Sequence, residues 1–203
     1  MKSKSRIPGS VLVGMFLLAA SVAAAHTGPA HSHATGFADG FLHPVTGLDH
    51  LVAMVAVGLW AARTGGRMMW LLPLCFVLLM AGGSVLGMAG LPFPMVEAGI
   101  AASLLVLGLV LATAARVPNA VSLALVGVFA LFHGHAHGAE MHAGAMAAAF
   151  ITGFALCTAA LHGAGIGMGL GMARWADKPE RKELAFRMSG AAVAVFGVVL
   201  LAV

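Results

Sequence analysis

Long apolar runs separated by short polar interruptions set the plan of the chain. Beyond residue 25, apolar segments occupy about 36–62, 68–90, 94–115, 119–138, 143–173 and 184–203. The interruptions are Arg63-Thr-Gly-Gly-Arg67, Leu91-Pro-Phe-Pro94, Arg116-Val-Pro-Asn119, a His-rich stretch, and the polar run from Arg174 to Glu183. Each segment approaches or exceeds the roughly 20 residues a helix needs to cross the hydrocarbon core. The pattern predicts an all-α polytopic bundle of six transmembrane helices, with residues 26–203 as one domain.

The first 25 residues follow a different pattern. A basic start (Lys2, Lys4, Arg6), an apolar run from Val11 to Val22 and a small-residue site at Ala23-Ala24-Ala25 read as a cleaved signal peptide. Export makes His26 the mature N-terminus and places it outside the membrane.

Composition agrees with the pattern. The 203 residues are 61% hydrophobic and 9% charged, without tyrosine, and the mean hydropathy is +0.99. These values lie outside the range of soluble globular domains. Cys75 and Cys157 stand in apolar stretches without ligand spacing, which predicts neither a disulfide framework nor a thiolate metal site. The alternating glycines from Gly163 to Gly171 offer small-xxx-small spacing for close helix packing.

Charge then orients the spans. With an exported N-terminus, alternate loops face the cytoplasm, and these hold Arg63, Arg67, Arg116, Arg174, Lys178, Arg181, Lys182 and the flanking Arg187. That sorting follows the positive-inside rule and predicts an inner-membrane protein with both mature termini periplasmic. The net charge of +4 therefore reflects loop anchors and implies no nucleic-acid partner. On the other side, Asp39, Asp49, Glu97, Glu140 and all ten histidines lie in spans or outward segments without lysine or arginine to pair them. Such groups call for a cation from elsewhere.

The first mature span carries Asp39, His43-Pro44-Val-Thr-Gly47-Leu48-Asp49-His50 and Met54. Ionisable residues inside a span are expensive and mark function by default. On a continuous helix Asp39, His43 and His50 share one stripe, with Gly47 between them as room for an ion and Met54 extending it. Pro44 and Gly47 instead predict a break near this motif, and broken membrane helices commonly line cation cavities. The bland alternative is polar glue between helices.

The fourth span ends Phe132-His133-Gly-His135-Ala-His137-Gly-Ala-Glu140-Met141-His142. A helix aligns His133, His137 and Glu140 and turns His135 elsewhere; an extended strand aligns His133, His135 and His137. A solvated His-rich loop is the bland reading. The fifth span adds Thr158 and His162 one turn apart. Counting about 1.5 Å per residue from the nearest cytoplasmic arginine puts His50, His162 and His133 at about 20, 18 and 25 Å. His43, His137, Glu140, Asp39 and Glu97 fall at about 28 Å or more by the same count, as an approach to the inner group. The tail His26-Thr-Gly-Pro-Ala-His31-Ser-His33 offers an amine and imidazoles for loose metal capture.

Imidazole with some carboxylate suits nickel, cobalt, zinc or copper(II) and is too nitrogen-rich for magnesium or calcium. Transport of such an ion is the primary expectation, without a prosthetic group and without a P-loop. Protonation of the histidines predicts that uptake falls as external pH drops below about 6. Two rivals are an intramembrane zinc metalloenzyme with Glu140 as base, although HExxH is absent, and a haem-binding electron carrier.

The stretch from Gly36 to Trp60, above all His43-Pro44-Val-Thr-Gly47-Leu48-Asp49-His50, resembles the signature of the HupE/UreJ family of bacterial nickel/cobalt permeases. The likeness continues through Phe132 to Glu140 and Gly153 to Gly163, covering essentially the whole chain. It implies secondary uptake of nickel, or cobalt in some members, supplying hydrogenase or urease maturation. It nominates His43, Asp49 and His50 in the first motif and His133, His137 and Glu140 in the second. The pattern is also similar to that of the larger nickel/cobalt transporter family, but five residues separate His43 from Asp49 here, one more than is usual there. A homo-oligomer is left open.

Overall fold

A computed structural model of the protein describes residues 36–141 and 145–202. The signal peptide expected at 1–25 and the tail with His26, His31 and His33 lie outside the described residues, as does His142. The described residues form seven helices and no strand: α1 (Phe37–Thr46), α2 (Leu48–Thr64), α3 (Met68–Met88), α4 (Val96–Ala112), α5 (Asn119–Ala139), α6 (Ala145–Trp175) and α7 (Pro179–Ala202).

This is a helical membrane bundle. The helices α3, α5, α6 and α7 are each long and apolar enough to cross a membrane, and the bent pair α1 and α2 provides a fifth such element. The remaining apolar helix, α4, has 17 residues. On α3, Leu72, Phe76 and Met80 are fully buried while Trp70, Leu74 and Leu78 are exposed on the opposite face. A helix apolar all round suits a protein core on one side and lipid on the other.

Glycines permit the principal pairings. Gly83 and Gly87 of α3 lie against α5, and Gly134 and Gly138 of α5 lie against α3. A Cβ on Gly134 would overlap the Met80 carbonyl, and one on Gly138 the Ser84 carbonyl. Gly108 and Gly190 bring α4 and α7 together. In α6, Gly165 rests on Val55 and Gly58 of α2, and Gly169 meets Ala62 and Phe186, whereas Gly163, Gly167 and Gly171 meet nothing within 4 Å. The alternating glycine run thus packs on one side only, as i, i+4 spacing requires.

The break expected in the first span is present and sharp. The helices α1 and α2 are bent by 83°. The hinge is Gly47, extended at φ −94° and ψ 114°. Pro44 stays inside α1, buried, one turn before the hinge. The α1 arm then crosses α6, with Gly40 against the Phe150 carbonyl and Gly153 against the Phe37 carbonyl. Both cysteines are free.

Basic residues gather at the other end of these helices. Arg63 donates from Nη2 to Glu183 Oε1 at 3.2 Å and from Nη1 to the Ala115 carbonyl at 3.4 Å. Arg187 Nε donates to the Ala112 carbonyl at 2.9 Å. These contacts tie the C-terminal ends of α2 and α4 to the start of α7.

Candidate metal centre

The hinge and the end of α5 build one site. Asp49 and His50 occupy the first turn of α2, His43 the last turn of α1, and His133 and His137 successive turns near the end of α5. The α5 helix continues to Ala139, so the helical alignment of His133 and His137 holds. His135 turns away as that alignment requires: its Nε2–H donates to the Leu91 carbonyl at 2.7 Å, and its ring stacks on Phe93 at 5.1 Å.

His137 is the centre of the group. Its ring centroid lies 4.4 Å from His43 and 4.4 Å from His50. His50 in turn lies 5.0 Å from His133. Ligand atoms of His43, His137 and Glu140 all fall within 4.8 Å of one another. Phe154 closes one side at 4.6 Å from His137, and Phe150 stands 5.6 Å from His43.

Hydrogen bonds fix how two of these rings present themselves. His50 Nδ1 lies 2.9 Å from Asp49 Oδ1, which also accepts the His50 backbone N–H at 2.9 Å. A carboxylate only accepts, so Nδ1 carries a proton, and in the neutral ring Nε2 is left with a lone pair. His133 Nδ1 lies 2.8 Å from the Phe129 carbonyl, with the same consequence. Both Nε2 atoms are buried without a hydrogen-bond partner among the described residues, as are both ring nitrogens of His137. Buried lone pairs cannot satisfy one another; they call for a donor or a cation. An imidazole that donates its far N–H to a carboxylate or carbonyl is the usual geometry of a metal-binding histidine.

Gly47 belongs to the same arrangement. Its φ is open to any residue, but a Cβ there would lie 3.0 Å from Asp49 Oδ1 and 3.1 Å from His50 Nδ1. A side chain at this position would press on the carboxylate–imidazole pair.

The structure redraws the depth ranking made on straight helices. His43 and His50 were expected to stand about 10 Å apart along a continuous helix; the 83° bend swings α1 across, and their rings are 6.5 Å apart. The approach residues His43 and His137 therefore adjoin the inner residues His50 and His133 as one cluster. Asp49, expected as a ligand, directs Oδ1 to His50 and so orients that ring. His162 stands apart from the hinge: its carbonyl faces Gly58, further along α2 than His50, and Phe76 packs against both its ring and that of His133. Asp39 is exposed in the first turn of α1, and Glu97 is exposed in the first turn of α4. Met54 is wholly buried in the apolar core.

Phe76, Phe150 and Met80 had no signal in the sequence, since each reads as one more apolar residue in an apolar span. A phenylalanine near a histidine is visible only once the helices are paired.

Changing Asp49 tests its role. Asp49→Asn should weaken nickel binding by about 10- to 100-fold, the range for losing a group that orients a ligand, while leaving the helical fold intact. Equilibrium dialysis with circular dichroism on the same sample checks this; an unchanged affinity would mean that Asp49 does not orient His50 for metal.

Fold and site together define a class: a helical membrane protein whose interior gathers imidazoles and a carboxylate around one hinge. The chain matches the model of the HupE / UreJ protein family over residues 14–200. It is 43% identical over 181 residues to Protein HupE of Rhizobium leguminosarum bv. viciae, covering 89% of this chain and 91% of that protein. The chain belongs to the HupE/UreJ family. No solved structure matches it.

Proposed function

We propose that the protein is a secondary permease that carries a divalent transition-metal cation, nickel foremost and cobalt as a second cargo, from periplasm to cytoplasm across the inner membrane. The observation that carries this reading is the meeting of the His43, His50, His133 and His137 rings, with Nε2 of His50 and of His133 and both ring nitrogens of His137 buried and unpartnered among the described residues. Family membership supports it. The same ligands would also bind zinc or copper(II), so selectivity rests on geometry. The reading is transport rather than catalysis, with the ion as cargo destined for hydrogenase or urease maturation.

In this reading the bent pair α1 and α2 serves as the first of six spans, α4 is a short one, and the arginines mark the cytoplasmic end. A hydrated ion exchanges waters for Glu140, His43 and His137, then for His50 and His133. An inside-negative potential favours a divalent cation by about 4.6 kcal/mol per 100 mV, so no nucleotide is required.

Uptake of radioactive nickel and cobalt into proteoliposomes with an imposed potential tests this. Uptake should rise with inside-negative potential and fall as the external medium is acidified, because protons compete with the metal for imidazole lone pairs. The sign follows from the chemistry of the ring: a protonated imidazole has no lone pair to give a metal. Uptake that ignores the potential, or increases on acidification, would contradict the proposal.

A further inference from the structure

Behind the hinge cluster lies a second polar locus that this reading does not use. Thr158 and His162 stand one turn apart on α6 and are 0% and 1% exposed. Both ring nitrogens of His162 are buried without a hydrogen-bond partner among the described residues. Phe76 of α3 packs edge-on against His162 at 5.1 Å and lies 5.5 Å from His133, so its ring adjoins both histidines. One turn along α3, Met80 is fully buried, and Thr158 Oγ1 donates to its Sδ at 3.7 Å. The four side chains form two rungs between α3 and α6: Met80 with Thr158, and Phe76 with His162.

A histidine serving as glue between helices would show the hydrogen bond that binds them. His162 shows none among the described residues, though burial makes an unmet donor and an unmet acceptor both unfavourable. Its nearest ring is an aromatic hydrocarbon, which satisfies neither nitrogen in full. Imidazole nitrogen, thioether sulfur and hydroxyl oxygen are instead a donor set for a borderline-soft transition cation, and methionine is flexible enough to bring its sulfur round.

We infer that His162, with Met80 and Thr158, forms a second metal station inside the bundle, adjoining the hinge cluster through the Phe76 ring. It takes the same class of divalent first-row cation and rests on the uptake reading. Its His162 lies further along α2 than the hinge cluster, beside Gly58 and toward the arginine end, whereas Met80, against Gly134, and its partner Thr158 stand nearer the hinge. The sulfur distinguishes this station from the nitrogen and oxygen site at the hinge.

The test is metal stoichiometry and X-ray absorption on the purified full-length protein in lipid nanodiscs, loaded with Ni²⁺ alone or Co²⁺ alone. Wild type should bind two equivalents, and the absorption spectrum should include a sulfur scatterer. His162→Ala should bind one equivalent with the sulfur signal gone, and His137→Ala should keep the sulfur-containing equivalent. Met80→Leu, which conserves volume, should lose the sulfur signal and weaken the second equivalent tenfold or more; it answers the same question if His162→Ala does not accumulate. One wild-type equivalent, lost in His137→Ala and retained in His162→Ala, would overturn the station and leave the uptake reading standing. A wild-type protein that binds neither metal and moves neither into proteoliposomes would overturn both.

Discussion

Replacing His137 by alanine should abolish metal uptake while leaving the folded protein nearly as stable as before. Its ring is the one that touches both His43 and His50, each at 4.4 Å, and it belongs to the group with Glu140. Losing an orienting group outside the ligand set already weakens metal binding by about 10- to 100-fold, so loss of the central ligand should exceed about 100-fold. Stability responds differently because His137 holds two buried nitrogens without hydrogen-bond partners among the described residues. Removing unmet polar atoms relieves about 1–3 kcal/mol per group, which offsets much of the cavity left by the ring. Thermal unfolding of metal-free protein should therefore change little, whereas wild type should be stabilised by nickel and the variant should not. Wild-type uptake by His137→Ala would remove the cluster from the transport path.

Gly134→Val should have the second-largest effect, and it should act on the fold. The Cβ at this position runs into the Met80 carbonyl, with Ser84 N at 2.9 Å. Both obstacles are backbone, so neither yields as a flexible side chain would. Overpacking of this kind costs about 1–3 kcal/mol or more, against a gain of at most about 1 kcal/mol in helix propensity when glycine becomes alanine. Even Gly134→Ala should lower the unfolding temperature in detergent. Because His133 and His137 flank Gly134 on α5, spreading α5 from α3 should also reduce uptake per folded molecule. Gly163→Ala is the control: nothing lies within 4 Å of that site, so it should match wild type. Wild-type stability and uptake in Gly134→Ala would show that α3 and α5 do not need this close approach.

These two positions mark the boundary between what was legible in the sequence and what was not. Apolar runs of span length, interrupted by arginine-bearing loops, determine a helical membrane protein without reference to any fold, because a backbone in lipid must satisfy its own hydrogen bonds. Pro44 and Gly47 beside three ionisable residues likewise announce a break in the first span. The HPVTGLDH motif was sufficient to place the chain in its family.

Tertiary structure decided the rest. Helical periodicity reports which residues share a face of one helix, and says nothing of the distance to a face on another. The size of the bend, 83°, converted His43 from an outer residue on a straight stripe into a neighbour of His50. The pairing of α3 with α5 rests on Gly83, Gly87, Gly134 and Gly138 meeting carbonyls, yet Gly163 and Gly165 read alike in the sequence and only Gly165 makes such a contact. Which nitrogen His50 and His133 offer depends on Asp49 and on the Phe129 carbonyl. That one ring, Phe76, adjoins both His162 and His133 was not legible either, because it is indistinguishable in sequence from its apolar neighbours. Local chemistry and hydrophobic length are written along the chain, whereas the convergence of ligands is set by helix pairings that small residues permit without specifying.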